Sequence, residues 1–425
     1  MKRTVMVLSA TIIMVANAFS QEFDRFFTDK TLRIDYAFSG DAVRQDIFVD
    51  KLNVVPRWYG KKKRLAEVPV EGNGQIVVKD HKSQQVIYRN SFSTLFQEWL
   101  SYDEAKIMKR SFENVFLVPM PKDTIDVTVT LMNNQRKAVA SLTHMVVPSD
   151  ILIRRIGEHG ITPFEILRQA ADTTRCIHIA FVAEGYQESE MPIFLQDARI
   201  ATEAIFQHEP FKSMQNRFHI VAVKSPSKDS GTSEPAKGIW KNTTLHSHFD
   251  TFYSSRYLTT LNLKDLHDRL AGIPYEHIIV LVNTDNYGGG GILNSYNLSM
   301  THHRSFRPVV VHEFGHSFAG LADEYAYENE AIPMYPYDIE PWEPNITTLK
   351  DFHGKWENMI DKKTPVPTPA TEKHAQKVGL YEGAGYSLKG VYRGMQDCRM
   401  RTNEHPEFCP VCRQAIARLI NFYTE

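Results

Sequence analysis

From about residue 22 to residue 150 the chain alternates apolar and polar positions in short runs, at 32–38, 75–78, 86–88, 115–118 and 125–131. Period-two alternation over such lengths predicts half-buried strands, and the Gly, Asn, Asp and Pro residues between them supply turns at spacings that suit a β-sandwich. Beyond Pro148-Ser149-Asp150 the pattern changes. Residues 176–183, 218–223 and 277–282 are continuous apolar runs, which predict strands buried on both faces. Between them, 191–206 repeats apolar residues every three or four positions and predicts a helix. The organisation expected is α+β in two domains: a β-sandwich over 21–150 and an α/β domain over 151–425. The stretch 331–368, rich in Pro, Tyr and Asp, predicts a long ordered excursion over the surface.

Residues 1–20 stand apart from this pattern. Lys2 and Arg3 precede an apolar run from Val5 to Val15 that ends in Ala16-Asn17-Ala18, the order of features in a secretory signal peptide. The run is shorter than the roughly 20 residues of a membrane span, so cleavage is expected, with a retained signal anchor as the alternative. An exported protein, periplasmic or extracellular and without a transmembrane span, follows as the expectation. Over 425 residues, 49 Lys and Arg against 50 Asp and Glu leave a net charge of −1, which supplies no basic field for nucleic acid. The run Lys61-Lys62-Lys63-Arg64 reads as a solvated loop.

Candidate chemistry concentrates in His312-Glu313-Phe314-Gly315-His316, followed by Gly320 and Asp323-Glu324-Tyr325. On a helix, His312 and His316 lie four apart on one face, so two imidazole nitrogens can converge on one ion, read here as zinc. Glu313, displaced by one residue, is placed to act as general base on a zinc-activated water and then as acid toward the leaving amine. Pro308 suits the first turn of that helix and Gly320 its exit. The spacing HExxHxxGxxH puts a third ligand three residues after the glycine; with the glycine one residue later here, Asp323 is favoured over Glu324, and an acid from further on remains open. Glu328 and Glu330 stand too near for that last arrangement.

Four cysteines complete the inventory. Cys176, inside an apolar run, is expected to be buried and not nucleophilic. For Cys398, Cys409 and Cys412, export to an oxidising compartment favours a disulfide from Cys398 to Cys409 or Cys412, with a structural zinc site on the CxxC pair as its rival.

The motif His312–Ser317 with 320–325, the upstream Phe181-Val182-Ala183-Glu184-Gly185-Tyr186, and the terminal Cys398-Arg399-Met400-Arg401 with Phe408-Cys409-Pro410-Val411-Cys412 resemble the bacterial IgA-peptidase family of secreted, metzincin-like zinc metallopeptidases. The resemblance spans about 160–425, and the β-rich N-terminal region is similar to the accessory domain ahead of such catalytic domains. It implies an endopeptidase with one catalytic zinc ion on His312, His316 and Asp323, Glu313 as acid/base, and a protein or glycoprotein substrate; it does not carry IgA cleavage to this chain. Met400 resembles the methionine of a Met-turn, a packing support beneath the metal. The glycine run 288–291 is either an edge strand that pairs with extended substrate or a flexible turn. Tyr325 and Tyr392 are candidate oxyanion donors, while His246 and His248 alternate and are either cleft-facing or, more commonly for such residues, loop histidines at the surface. The alternative function is a secreted binding or adhesion protein with a non-catalytic zinc site; the intact Glu313 speaks against it.

Overall fold

The computed structural model describes residues 23–326 and 335–425. Its N-terminal region is β-rich. Strands β1 (Phe27–Gly40), β2 (Gln45–Val55), β3 (Gly74–Asp80) and β4 (Val86–Phe92) are followed by short helices α1 (Leu95–Trp99) and α2 (Glu104–Ile107). Then come β5 (Arg110–Pro121), β6 (Ile125–Met132), β7 (Ala138–Val146) and the two-residue β8 (Arg154–Arg155). They form two four-stranded sheets, β5-β1-β2-β8 and β4-β3-β6-β7. The alternation in β6, where every second residue is buried, turns Ile125, Val127, Val129 and Leu131 into a core shared with β1 and β5. Aromatic rings join the two sheets: Phe92 of β4 lies 4.3 Å from Phe116 of β5, centroid to centroid. Pairing of β8 with β2 carries the first sheet past residue 150.

The second region is a mixed α/β layer. A six-stranded sheet runs β13-β14-β12-β10-β11-β9, built from β9 (Phe164–Arg168), β10 (Ile177–Glu184), β11 (Phe218–Val223), β12 (His277–Val282), β13 (Gly289–Ile292) and β14 (Tyr296–Met300). The four central strands are parallel and the two edges antiparallel. The long helix expected over 191–206 is α3 (Met191–Phe206); α4 (Leu263–Arg269), α5 (Phe306–Ala319) and α6 (Pro410–Thr424) follow. A small sheet of β15 (Ile346–Thr347), β16 (Tyr381–Ala384) and β17 (Ser387–Arg393) lies between the last two.

A parallel sheet has to be covered on both faces, and here the covers differ. Ile177, Ile179, Phe181 and Ala183 of β10 pack in one core with residues of α3, α5 and α6, whereas Ala180 and Val182 point the other way, into the core of the N-terminal strands and α4. The N-terminal region therefore replaces a helical layer. A buried cation fastens this junction: Arg33, 1% exposed, donates to Asp35 (2.7 Å) and across to Asp268 on α4 (2.6 Å).

Two expectations are corrected. Lys61 is not solvated: it is buried and donates to the carbonyls of Glu67 (2.6 Å) and Arg89 (2.9 Å), and burial lowers its pKa to about 7. Nor does the excursion stay on the surface, since Asn345 is fully buried and paired with Ala322 through both its amide atoms (2.8 and 2.9 Å). A run of charges or of turn residues reports local preference only, and tertiary carbonyls waiting for a donor override it. The candidate signal peptide lies outside the described residues, as do residues 331–334 of the excursion. Among the described residues no helix is long and apolar enough to cross a membrane.

Candidate metal centre

Helix α5 carries the motif. Pro308 sits in its first turn, where a missing N–H is harmless, and the mediocre helix formers Val309, Val310 and Val311 are held by burial. At the far end Gly320 takes a left-handed conformation (φ 61°), its N–H bonding His316 O (3.0 Å) and that of Leu321 bonding Gly315 O (3.2 Å). This reversal has two effects: it brings Leu321 O to His316 Nδ1 (2.6 Å), and it returns the chain so that Asp323 faces the histidines.

His312 Nδ1 meets the carbonyl of Arg399 (3.1 Å). Carbonyls only accept, so both imidazoles carry their proton on Nδ1 and turn the Nε2 lone pair to a common point. The Nε2 atoms stand 3.0 Å apart, and Asp323 Oδ1 lies 3.0 Å from one and 3.3 Å from the other. Ligands about 2 Å from one tetrahedral ion are separated by roughly 3.3 Å, close to these three edges. Asp323 Oδ1 is buried and has no hydrogen-bond donor, while its other oxygen accepts from the Tyr386 hydroxyl. These donors fit a divalent metal. The electrostatics agree: burial lowers the His316 pKa, but the Asp323 charge lifts it to about 9, so the centre of the cluster demands a proton or a cation.

Glu313 lines the same cleft, and burial raises its carboxyl above the ordinary range against the pull of His312 and His316. The glycines of β13 explain how it fits. A Cβ on Gly289 would stand 2.7 Å from Glu313 Oε1, and one on Gly291 only 2.5 Å from the Glu313 carbonyl. The run is therefore a close-packed edge strand and not a flexible turn; its outer side is bridged at Gly289 by Tyr257. Met400, fully buried, packs under the helix where Gly315 leaves room, its sulfur 2.7 Å from the position of a Cβ there.

The cleft, of about 1100 Å³, is walled by both regions of the chain. Glu98 of α1 reaches it from the N-terminal side, accepts from Tyr257 OH (2.6 Å), and is raised by burial to about 7. Tyr325 lines the cleft, 3.5 Å from the Tyr386 hydroxyl; Tyr392 does not, being on β17 opposite Thr347. His246 and His248 also fall outside the lining. Cys176 is buried and its thiol pushed up to about 12, and Ser230 donates to Glu190 (2.9 Å), not to a histidine. Glu328 and Glu330 lie outside the described residues.

Glu324 turns away from the histidines. It is fully buried against Cys398, Cys409 and Cys412, all of them free thiols, with Sγ of Cys398 and Cys412 3.7 Å apart. The expected disulfide is absent, because the three sulfurs and the carboxylate surround one point instead of pairing. Glu98, Tyr386 and Asn345 were not legible in the sequence: Glu98 comes from α1 and the other two from loops after the motif, with no spacing signature.

No curated protein matches the chain. Two families do: residues 22–143 match Peptidase M64 N-terminus, and 166–374 with 370–420 match IgA Peptidase M64, well over half of the length. With a histidine and aspartate cluster beside a carboxylate at the floor of its cleft, the chain belongs to the IgA Peptidase M64 family and is a metallopeptidase.

Proposed function

We propose that this metallopeptidase is an exported, zinc-dependent endopeptidase in which His312, His316 and Asp323 hold the ion and Glu313 is the general base and acid. The observation that carries the reading is the convergence of two Nε2 lone pairs and an undonated Asp323 oxygen, 3.0–3.3 Å apart, beside Glu313. Two nitrogens and one oxygen form the donor set of an open zinc site with one coordination position left to the cleft. When bound, the ion supplies Lewis acidity to a water and to the scissile carbonyl. Glu313, with its raised carboxyl, takes the proton of the attacking water and delivers it to the departing amine nitrogen. Carbonyl acceptors hold both imidazoles in one tautomer, and Tyr386 keeps Asp323 oriented. Tyr325 stands in the cleft as a hydroxyl donor to the developing oxyanion.

A cleft of about 1100 Å³ exceeds what most small ligands fill and suits an extended polypeptide. The substrate class is therefore an extracellular protein or glycoprotein, with no commitment to IgA. The N-terminal domain, 21–150, supplies one wall of the cleft to the catalytic domain, 151–425. Export rests on the charged, apolar and small-residue pattern of 1–20.

The test is mass-spectrometric mapping of new N-termini after the protein meets a mixed extracellular proteome, with Glu313→Ala as control. Cleavages confined to the wild type are expected. Their absence from a folded, metal-loaded sample overturns the reading in favour of a binding protein.

A further inference from the structure

We propose that Cys398, Cys409, Cys412 and Glu324 bind a second zinc ion, structural and fully enclosed, which fixes the position of Asp323 in the first centre. One donor atom from each of the four residues lies within 4.8 Å of all the others, and all four residues are buried. The Cys398 and Cys412 sulfurs are 3.7 Å apart. Two thiolates on a tetrahedral zinc with bonds of about 2.3 Å stand about 3.8 Å apart, against about 2.05 Å in a disulfide.

The surroundings point the same way. Glu324 is completely buried, with the Arg393 cation acting on it, and its Oε2 has no hydrogen-bond partner; its Oε1 takes Asn345 (3.0 Å) and the Cys412 thiol (3.1 Å). A disulfide would join two sulfurs and leave the third thiol enclosed beside a carboxylate whose Oε2 still has no partner. Backbone N–H groups are directed at the sulfurs: that of Cys409 at Cys398 (3.2 Å) and that of Cys412 at Cys409 (3.5 Å). These are the contacts that stabilise thiolates around a metal, and they sit at the N-terminus of α6, whose exposed N–H groups favour negative charge. Soft sulfur donors with one carboxylate, four protein ligands and no opening select zinc in a structural role. Loading releases the three thiol protons to solvent.

Asp323 and Glu324 are consecutive, so the two centres share one peptide unit. The Glu324 N–H also bonds Met400 O (2.8 Å), and Arg399 O holds His312. An ion joining Glu324 to Cys398 ties both segments together under the histidines.

The experiment compares metal content by elemental mass spectrometry in the wild-type full chain and in His312→Ala/His316→Ala. We expect two zinc ions per chain in the wild type and one in the double variant. The double variant reloaded with cobalt is expected to show thiolate-to-metal charge-transfer absorption, and alkylation of the denatured, unreduced wild type to label all four cysteines. No metal in the double variant, or two unlabelled cysteines in the wild type, overturns the proposal even if the first centre stands. One ion in both proteins overturns the first centre and leaves the second. Because the cysteines remain native throughout, misfolding of a cysteine variant does not enter.

Discussion

Two neighbouring residues, Asp323 and Glu324, face opposite environments. Asp323 joins two histidines that are about 15% exposed at the floor of a cleft; Glu324 joins three cysteines sealed in the core. Three protein donors and a solvent-facing side make the first cluster suited to chemistry, because a reacting group can occupy the remaining position. Four protein donors and no access make the second suited only to holding the chain. The difference shows that residue type alone does not separate a catalytic from a structural centre; the number of donors and the route to solvent do.

The largest effect expected is on turnover. Glu313→Ala should lower kcat/KM by roughly 10³-fold or more while both the metal content and the melting temperature stay at wild-type values, since general acid–base catalysis is worth on the order of 10²–10⁴-fold. Retained turnover in that variant removes Glu313 from the mechanism. Next, exchanging the fate of the two neighbours breaks the comparison directly. Asp323→Ala should lose the histidine-held ion and all activity but keep the cysteine-held one. Glu324→Ala should instead lose the enclosed ion and lower the melting temperature by roughly 10 °C, given the folding energy such sites contribute. Elemental analysis and calorimetry of the pair read this, and identical behaviour of the two variants contradicts it.

A smaller effect tests the close packing that only the open centre needs. Gly289→Ala sets a methyl group against the Glu313 carboxylate, and a displacement of about 1 Å at a reacting group lowers kcat up to roughly 10²-fold with metal content unchanged. The smallest concerns the cleft wall. Glu98 titrates near 4.5 when unfolded and near 7 when folded, raised by burial. The folded state then binds the proton more tightly, so stability falls as pH rises from about 4.5 to about 7. Glu98→Gln removes this dependence: in the metal-free protein its melting temperature should match the wild type at the acid end and exceed it by a few degrees above neutrality. A difference independent of pH places Glu98 in solvent.

Much of the fold was legible because its signals are local. β6 alternates with period two and became a half-buried strand; 191–206 repeats every three to four residues and is helix α3. β2 gave no such signal, since its exposed middle residues, Phe48, Val49, Asp50 and Lys51, come as an apolar pair and a charged pair instead of alternating, and it is held by pairing with β1. In the candidate site, the i and i+4 histidines, the exit glycine and Asp323 could be placed from helix geometry and the spacing that follows it. Lys61 shows the opposite case, a charge inside a charged run that tertiary contacts bury.

By itself, then, the sequence determined what lies within one turn or one strand: the convergence of His312 and His316, the offset of Glu313, and the reversal at Gly320. Only the tertiary structure decided that Glu324 turns into the core, that Glu98 and Tyr386 reach the cleft, and that three cysteines surround a carboxylate instead of pairing. Helix and strand periodicity is set by backbone geometry and can be read from spacing. Contacts such as Tyr386 with Asp323, 63 positions apart, or Cys412 with Glu324, 88 apart, depend on how layers pack, and no local pattern encodes that.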